Sequence, residues 1–107
     1  RREVLVDILK SCLSDQNKKV RPAAISMLLR LDVPTERINS EFIPLIVTRL
    51  EDRSWRVRRA AALRLSWYPT NVPIEDVAQA IANPENKVKR YFTNLLRRAV
   101  QYQAIGK

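Results

Sequence analysis

Twelve positions on three stretches of this chain have the residue types and spacing to do chemistry, and the chemistry is binding. They read Lys19, Pro22, Ser26 and Arg30; Arg56, Arg59, Leu63 and Trp67; and Lys87, Arg90, Asn94 and Arg98. Spacings of three and four residues put each set on one face of a helix. Seven of the twelve are basic and none is acidic, so the ridge would attract carboxylates or phosphates, with Arg able to grip either bidentately. Trp67, followed by Tyr68, offers either a stacking face or a cap for the core. Nothing comparable supports a reaction. The sequence holds no His, so Cys12 has no imidazole to activate it and reads as a passive small residue. Paired carboxylates facing a pocket and a Gly-rich phosphate loop are also missing, so no enzyme, cofactor or metal is expected.

The elements that must carry this ridge are helices. In 107 residues Gly occurs once, at Gly106, while Leu, Ala and Arg, all strong helix formers, are abundant. Val4, Leu5, Ile8, Leu9 and Leu13 form an apolar stripe in a first helix, and Ser14-Asp15-Gln16-Asn17 interrupts it with turn formers. A second helix is predicted from about 17 to 31, with Pro22 in its first turn, where the missing N–H is tolerated. The third is predicted from about 41 to 50, capped by Ser40, with Pro44 causing at most a mild bend. A fourth runs from Trp55 to about Trp67, a short fifth from Ile74 to Ala82, and the longest, the sixth, from about 85 to 102. Trp55, in the turn before the fourth helix, is expected to pack beneath the loop.

Aligning Val20, Val57 and Val88 shows that these six helices are three copies of one hairpin. Seven residues before each anchor stand Leu13, Leu50 and Ile81; eleven before, Leu9, Ile46 and Val77; fourteen before, Val6, Ile43 and Ile74; eight after, Leu28, Leu65 and Leu96. Five before are Asp15, Asp52 and Asn83, and one after are Arg21, Arg58 and Lys89. Asp15 with Arg21, and Asp52 with Arg58, are expected to form a structural ladder, the Asp capping the second helix or accepting from the Arg, so that the turn of one repeat is tied to the next. The third copy departs most, with Tyr91-Phe92 replacing the Ala pair Ala60-Ala61.

Ile43-Pro44-Leu45-Ile46, Leu50-Glu51-Asp52 and Val57-Arg58-Arg59-Ala60-Ala61 together resemble a HEAT repeat, and residues 13–28 and 81–96 resemble it with losses. The resemblance implies an all-α fold: an α-solenoid of three helical hairpins in a right-handed superhelical stack, with the second helices lining its concave side. The expected repeats span about 2–32, 39–69 and 73–103, in a single domain cut from a longer chain. A narrower resemblance, carried by Tyr68-Pro69-Thr70, Ile74, Val77 and residues 85–95, is to the helical domain of the large lipid transfer proteins, the vitellogenin and apolipoprotein B group. It implies lipid as a partner only within a larger transfer protein.

The net charge of +9 is confined to one layer. The second-helix segments 17–32, 54–68 and 85–103 hold thirteen basic and two acidic residues, and the rest of the chain is slightly acidic. The leading expectation is therefore a scaffold whose basic concave face docks an acidic protein partner, anchored by Arg56, Arg59, Arg90 and Arg98 with Trp67 as an aromatic hot spot. Two alternatives stand beside it: sequence-independent nucleic-acid binding through phosphates on the same ridge, and a lipid transfer domain. No apolar run approaches the roughly 18 residues of a membrane span. The expected location is intracellular, in cytoplasm or nucleus.

Overall fold

Every element in the computed structural model is a helix, among the residues it describes, 2–28, 33–82 and 89–105. Helix α1 is Arg2–Leu13 and α2 is Val20–Met27. A continuous rod over residues 35–51 follows, made of α3 (Thr35–Arg37), a π turn (Ile38–Phe42), α4 (Ile43–Thr48) and a closing 3₁₀ turn (Arg49–Glu51). Then come α5 (Trp55–Leu65), α6 (Ile74–Ala82) and α7 (Lys89–Ile105). Hairpins form between α1 and α2, α4 and α5, and α6 and α7, while α2, α5 and α7 contact one another in sequence. The Cα envelope of 38 × 34 × 17 Å is two helices thick, since packed helix axes lie about 8–10 Å apart. This is the solenoid that the resemblance implied.

The aligned positions are the core. Leu13 and Leu50, then Leu9, Ile46 and Val77, then Val6 and Ile43, and finally Leu28 and Leu65, are all buried between the layers, with Ile74 and Leu96 packed against them. Val57 is buried completely, and Phe92, one of the bulky residues of the third copy, fills the core at the far end. A stripe that recurs at the same offset in each copy can only be the surface the copies share, because each hairpin alone leaves it wet.

The middle rod differs from its expected form. It begins at residue 35, six residues before the predicted start, and Ser40 does not cap it: its hydroxyl donates to the Glu36 carbonyl within the helix, at 2.8 Å. Pro44 supplies the reason for the π turn. Its ring would crowd the carbonyl of residue 40 and it has no N–H to offer. The Ile43 N–H reaches back to the Ile38 carbonyl instead, five residues away, which widens the turn ahead of the proline. The fifth helix matches its expected bounds. Pro22 lies in the first turn of α2, as read.

One ionic contact fixes α1 against the middle rod, and a second within the rod shares its carboxylate. Glu41 accepts from Lys10 at 2.9 Å and from Arg37 at 2.6 Å. Those hydrogen bonds, Arg37 first and Lys10 second, draw the Glu41 carboxyl down to about 2 from an ordinary 4.5. At the other end, the Gln103 amide donates to the Pro69 and Val72 carbonyls at 3.1 and 2.8 Å, holding the loop between α5 and α6.

Candidate protein-interaction surface

Two sets of arginine bonds hold α2, α5 and α7 side by side and so set the spacing of the ridge. The first lies at the N-terminal ends. Arg21 donates from Nε and Nη2 to both carboxylate oxygens of Asp52, at 2.7 and 2.8 Å, and from Nη1 to the Asp15 and Gln16 carbonyls, at 2.7 and 3.0 Å. Asp52 also accepts the Ser54 N–H at 2.9 Å, so one carboxylate both shapes its own turn and receives the arginine of the repeat before it. The turn of one repeat is tied to the next as expected, but the carboxylate pairing differs: Arg21 takes Asp52 of the following repeat, and reaches Asp15 only at its carbonyl. Burial works against the Asp52 charge, yet the Arg21 bonds, the Ser54 N–H and the charges of Arg21 and Arg49 outweigh it, and its carboxyl lies below the usual aspartate range. The bond to Asp52 in turn holds the Arg21 guanidinium above the usual arginine range, against the opposing pull of burial. Arg58 repeats the backbone half of the motif, its Nη1 donating to the Asp52 and Arg53 carbonyls at 2.8 and 3.2 Å. Its Nε is buried with no partner among the described residues.

The second set lies at the C-terminal ends. Arg64 Nη2 donates to the Ser26 carbonyl at 3.3 Å, and Arg98 Nε donates to the Ser66 carbonyl at 3.3 Å. Each arginine thus reaches the helix of the preceding repeat. Arg98 also lies 5.3 Å over the Tyr102 ring.

Between these clasps lies a trough of about 360 Å³, lined by Pro22, Ser26, Arg56, Arg59, Ala60, Leu63, Arg64 and Trp67. Three predicted ridge residues, Arg56, Arg59 and Trp67, meet here, and Trp67 is 63% exposed. Arg56 also lines a neighbouring cleft with Lys18, Arg53 and Trp55. Among the described residues, no acidic residue lines either depression. The remaining ridge residues are dispersed. Lys19 lies at the edge of an apolar groove on α2, Arg90 and Arg98 are exposed on α7 and are not among the residues lining the trough, and Arg30 and Lys87 fall outside the described residues.

Two features escaped the sequence reading. Trp55 does not pack beneath the loop: it is exposed, with the Arg56 guanidinium 4.9 Å over its ring. Arg64 was not singled out at all, although it lines the trough, half-buried, its guanidinium 6.0 Å from the Trp67 ring. Its Nε and Nη1 are buried without partners among the described residues, and burial pushes the guanidinium below the usual arginine range, with Tyr68 partly offsetting this. The signal was present: seven residues after the anchor the other copies have Met27 and Leu95, so an arginine there breaks an apolar position.

With this geometry, the comparison with protein families is direct. The family model for HEAT repeats matches residues 3–97, and the chain belongs to the HEAT-repeat family. No curated protein and no solved structure matches it. HEAT repeats generally serve as protein-interaction scaffolds. The resemblance to the lipid transfer proteins gains no support from the match. Among the described residues, no helix is long and apolar enough to cross a membrane.

Proposed function

We propose that this chain is a non-enzymatic docking module that receives an acidic segment of a protein partner in the trough between α2 and α5. The observation that carries this reading is the lining of the trough: Arg56, Arg59 and Arg64 come together there beside an exposed tryptophan, and among the described residues its lining includes no carboxylate. A carboxylate entering it would meet Arg56 and Arg59, while an aromatic or aliphatic neighbour would settle on Leu63 and Trp67. Such a pairing of a planar cation with an aromatic anchor is the usual make-up of an interface hot spot. The same cations would accept phosphates, so duplex DNA is the competing ligand.

Titration calorimetry of the whole chain with a synthetic Asp/Glu-rich peptide containing one Phe, and separately with a random-sequence DNA duplex, tests the proposal. The peptide should bind, and reversing Arg56 and Arg59 to Glu should weaken it by about 100-fold or more, as two lost charge pairs imply. Trp67→Ala should cost about tenfold. Undiminished peptide binding by the reversed variant would remove the trough from the reading. Tight DNA binding that falls by about three orders of magnitude between 50 and 200 mM salt, with none to the peptide, would replace it by the nucleic-acid alternative.

A further inference from the structure

A groove of about 350 Å³ opens at the N-terminal end of the stack, lined by Leu5, Ile8, Cys12, Val20, Ala23 and Met27. Leu5, Ile8 and Met27 are 52%, 53% and 48% exposed. Moving each one repeat along the register gives Phe42, Leu45 and Arg64, with Val57 and Ala60 in place of Val20 and Ala23. There the same positions form an interior seam. Phe42 and Val57 are wholly buried, Leu45 and Ala60 pack against the core, and Arg64 reaches the Ser26 carbonyl of the first repeat. The polar half of the seam is duplicated too. Asp15 accepts the Asn17 N–H at 2.8 Å as Asp52 accepts the Ser54 N–H, but Asp15 is exposed whereas Asp52 lies under Arg21.

We infer that this end is a seat for one more helical hairpin of the same repeat class, whose second helix lies along Val20, Ala23 and Met27 and donates an arginine to Asp15. Continuity with the seam between the first two repeats identifies the occupant, because shape and ladder both recur. A second copy offering its far end fits poorly. That end presents exposed Thr93 where the interior seams have buried Ile25 and Ala62, and its sequence has Lys89 where Arg21 and Arg58 stand.

The test is a fusion in which residues 1–37 are duplicated ahead of the full chain, which places a second Arg21 over the original Asp15. Amide exchange of the original α1 and the labelling rate of Cys12 by a thiol reagent are then compared with those of the unfused chain. Both should slow by about 100-fold, since an end helix becomes an interior one. Asp15→Ala, nearly silent in the unfused chain, should return about tenfold of that protection, and Arg21→Ala in the added copy should return the same tenfold without adding to it. Unchanged α1 exchange and Cys12 labelling in the fusion would overturn the inference, as would an equal effect of Asp15→Ala with and without the added hairpin. Sedimentation of the unfused chain as a dimer that Leu5→Glu and Met27→Glu dissociate would also overturn it, assigning the groove to a second copy.

Discussion

Replacing Asp52 by Ala tests the account of how the repeats are joined. Asp52 is only 4% exposed and its partner Arg21 only 10% exposed, and the two form a bidentate pair at 2.7 and 2.8 Å. The substitution leaves a largely buried guanidinium whose Nη1 is still bound to two carbonyls but whose Nε and Nη2 have lost their carboxylate. Breaking a buried pair from one side costs about 3–5 kcal/mol, mostly because the surviving charge stays desolvated. Against a total stability of about 5–15 kcal/mol this is a large fraction. With a urea dependence near 2 kcal/mol/M, the midpoint should fall by about 2 M. Asp15→Ala is the internal control: the same residue type at the same register position shapes its turn through one N–H bond but is exposed, and its loss should cost about 1 kcal/mol or less. A double variant, Arg21→Met with Asp52→Leu, should recover much of the loss, though not the part due to the Ser54 N–H and the Asp15 and Gln16 carbonyls. Urea unfolding followed by circular dichroism reads all four proteins. If Asp52→Ala and Asp15→Ala differ by less than about 1 kcal/mol, the buried-pair reasoning fails.

Three further outcomes follow from the same physics. The Glu41 carboxyl titrates at about 2 in the folded chain against an ordinary 4.5, so its contribution is complete above about 4.5 and disappears as pH falls through 2; urea melts between pH 6 and 2 should show Glu41→Gln flattening the acid loss of stability. Arg64→Met, which installs the residue type of the first repeat at that register position, should leave stability unchanged or raise it by about 1 kcal/mol, since two buried unpaired donors are removed; the same variant should weaken the acidic peptide, and calorimetry beside thermal melts separates the two effects. Phe92→Ala opens a cavity at a fully buried site and should cost about 3–5 kcal/mol in urea unfolding.

The sequence carried the fold because repetition made its apolar pattern redundant. Leu13, Leu50 and their counterparts eight residues past each anchor could be assigned to the core by agreement among copies, with no appeal to propensity. The middle rod was harder. Ser40 has the composition of a cap, and only the backbone shows that Pro44 forces a wider turn ahead of itself, with the helix already running. The candidate surface was half legible. The faces of Arg56, Arg59 and Trp67 follow from helical spacing alone. Arg64 belongs by spacing to the side that carries Met27 and Leu95, and its place in the trough comes from the packing of α5 against α2, which a one-dimensional pattern does not encode. Arg90 and Arg98, aligned with Arg59 and Trp67 in register, are carried by α7 and do not line the trough.

The two-sided grip of Arg21 also bears on how the chain unfolds. One guanidinium holds the carbonyls of its own turn and the carboxylate of the next, so neither turn can open without disturbing the other. In a linear array whose units touch only their neighbours, such a joint sets the nearest-neighbour coupling, and coupling determines whether the array melts all at once or frays unit by unit. The first two hairpins should therefore behave as one thermodynamic unit, although their helices are short enough that neither pair would persist alone.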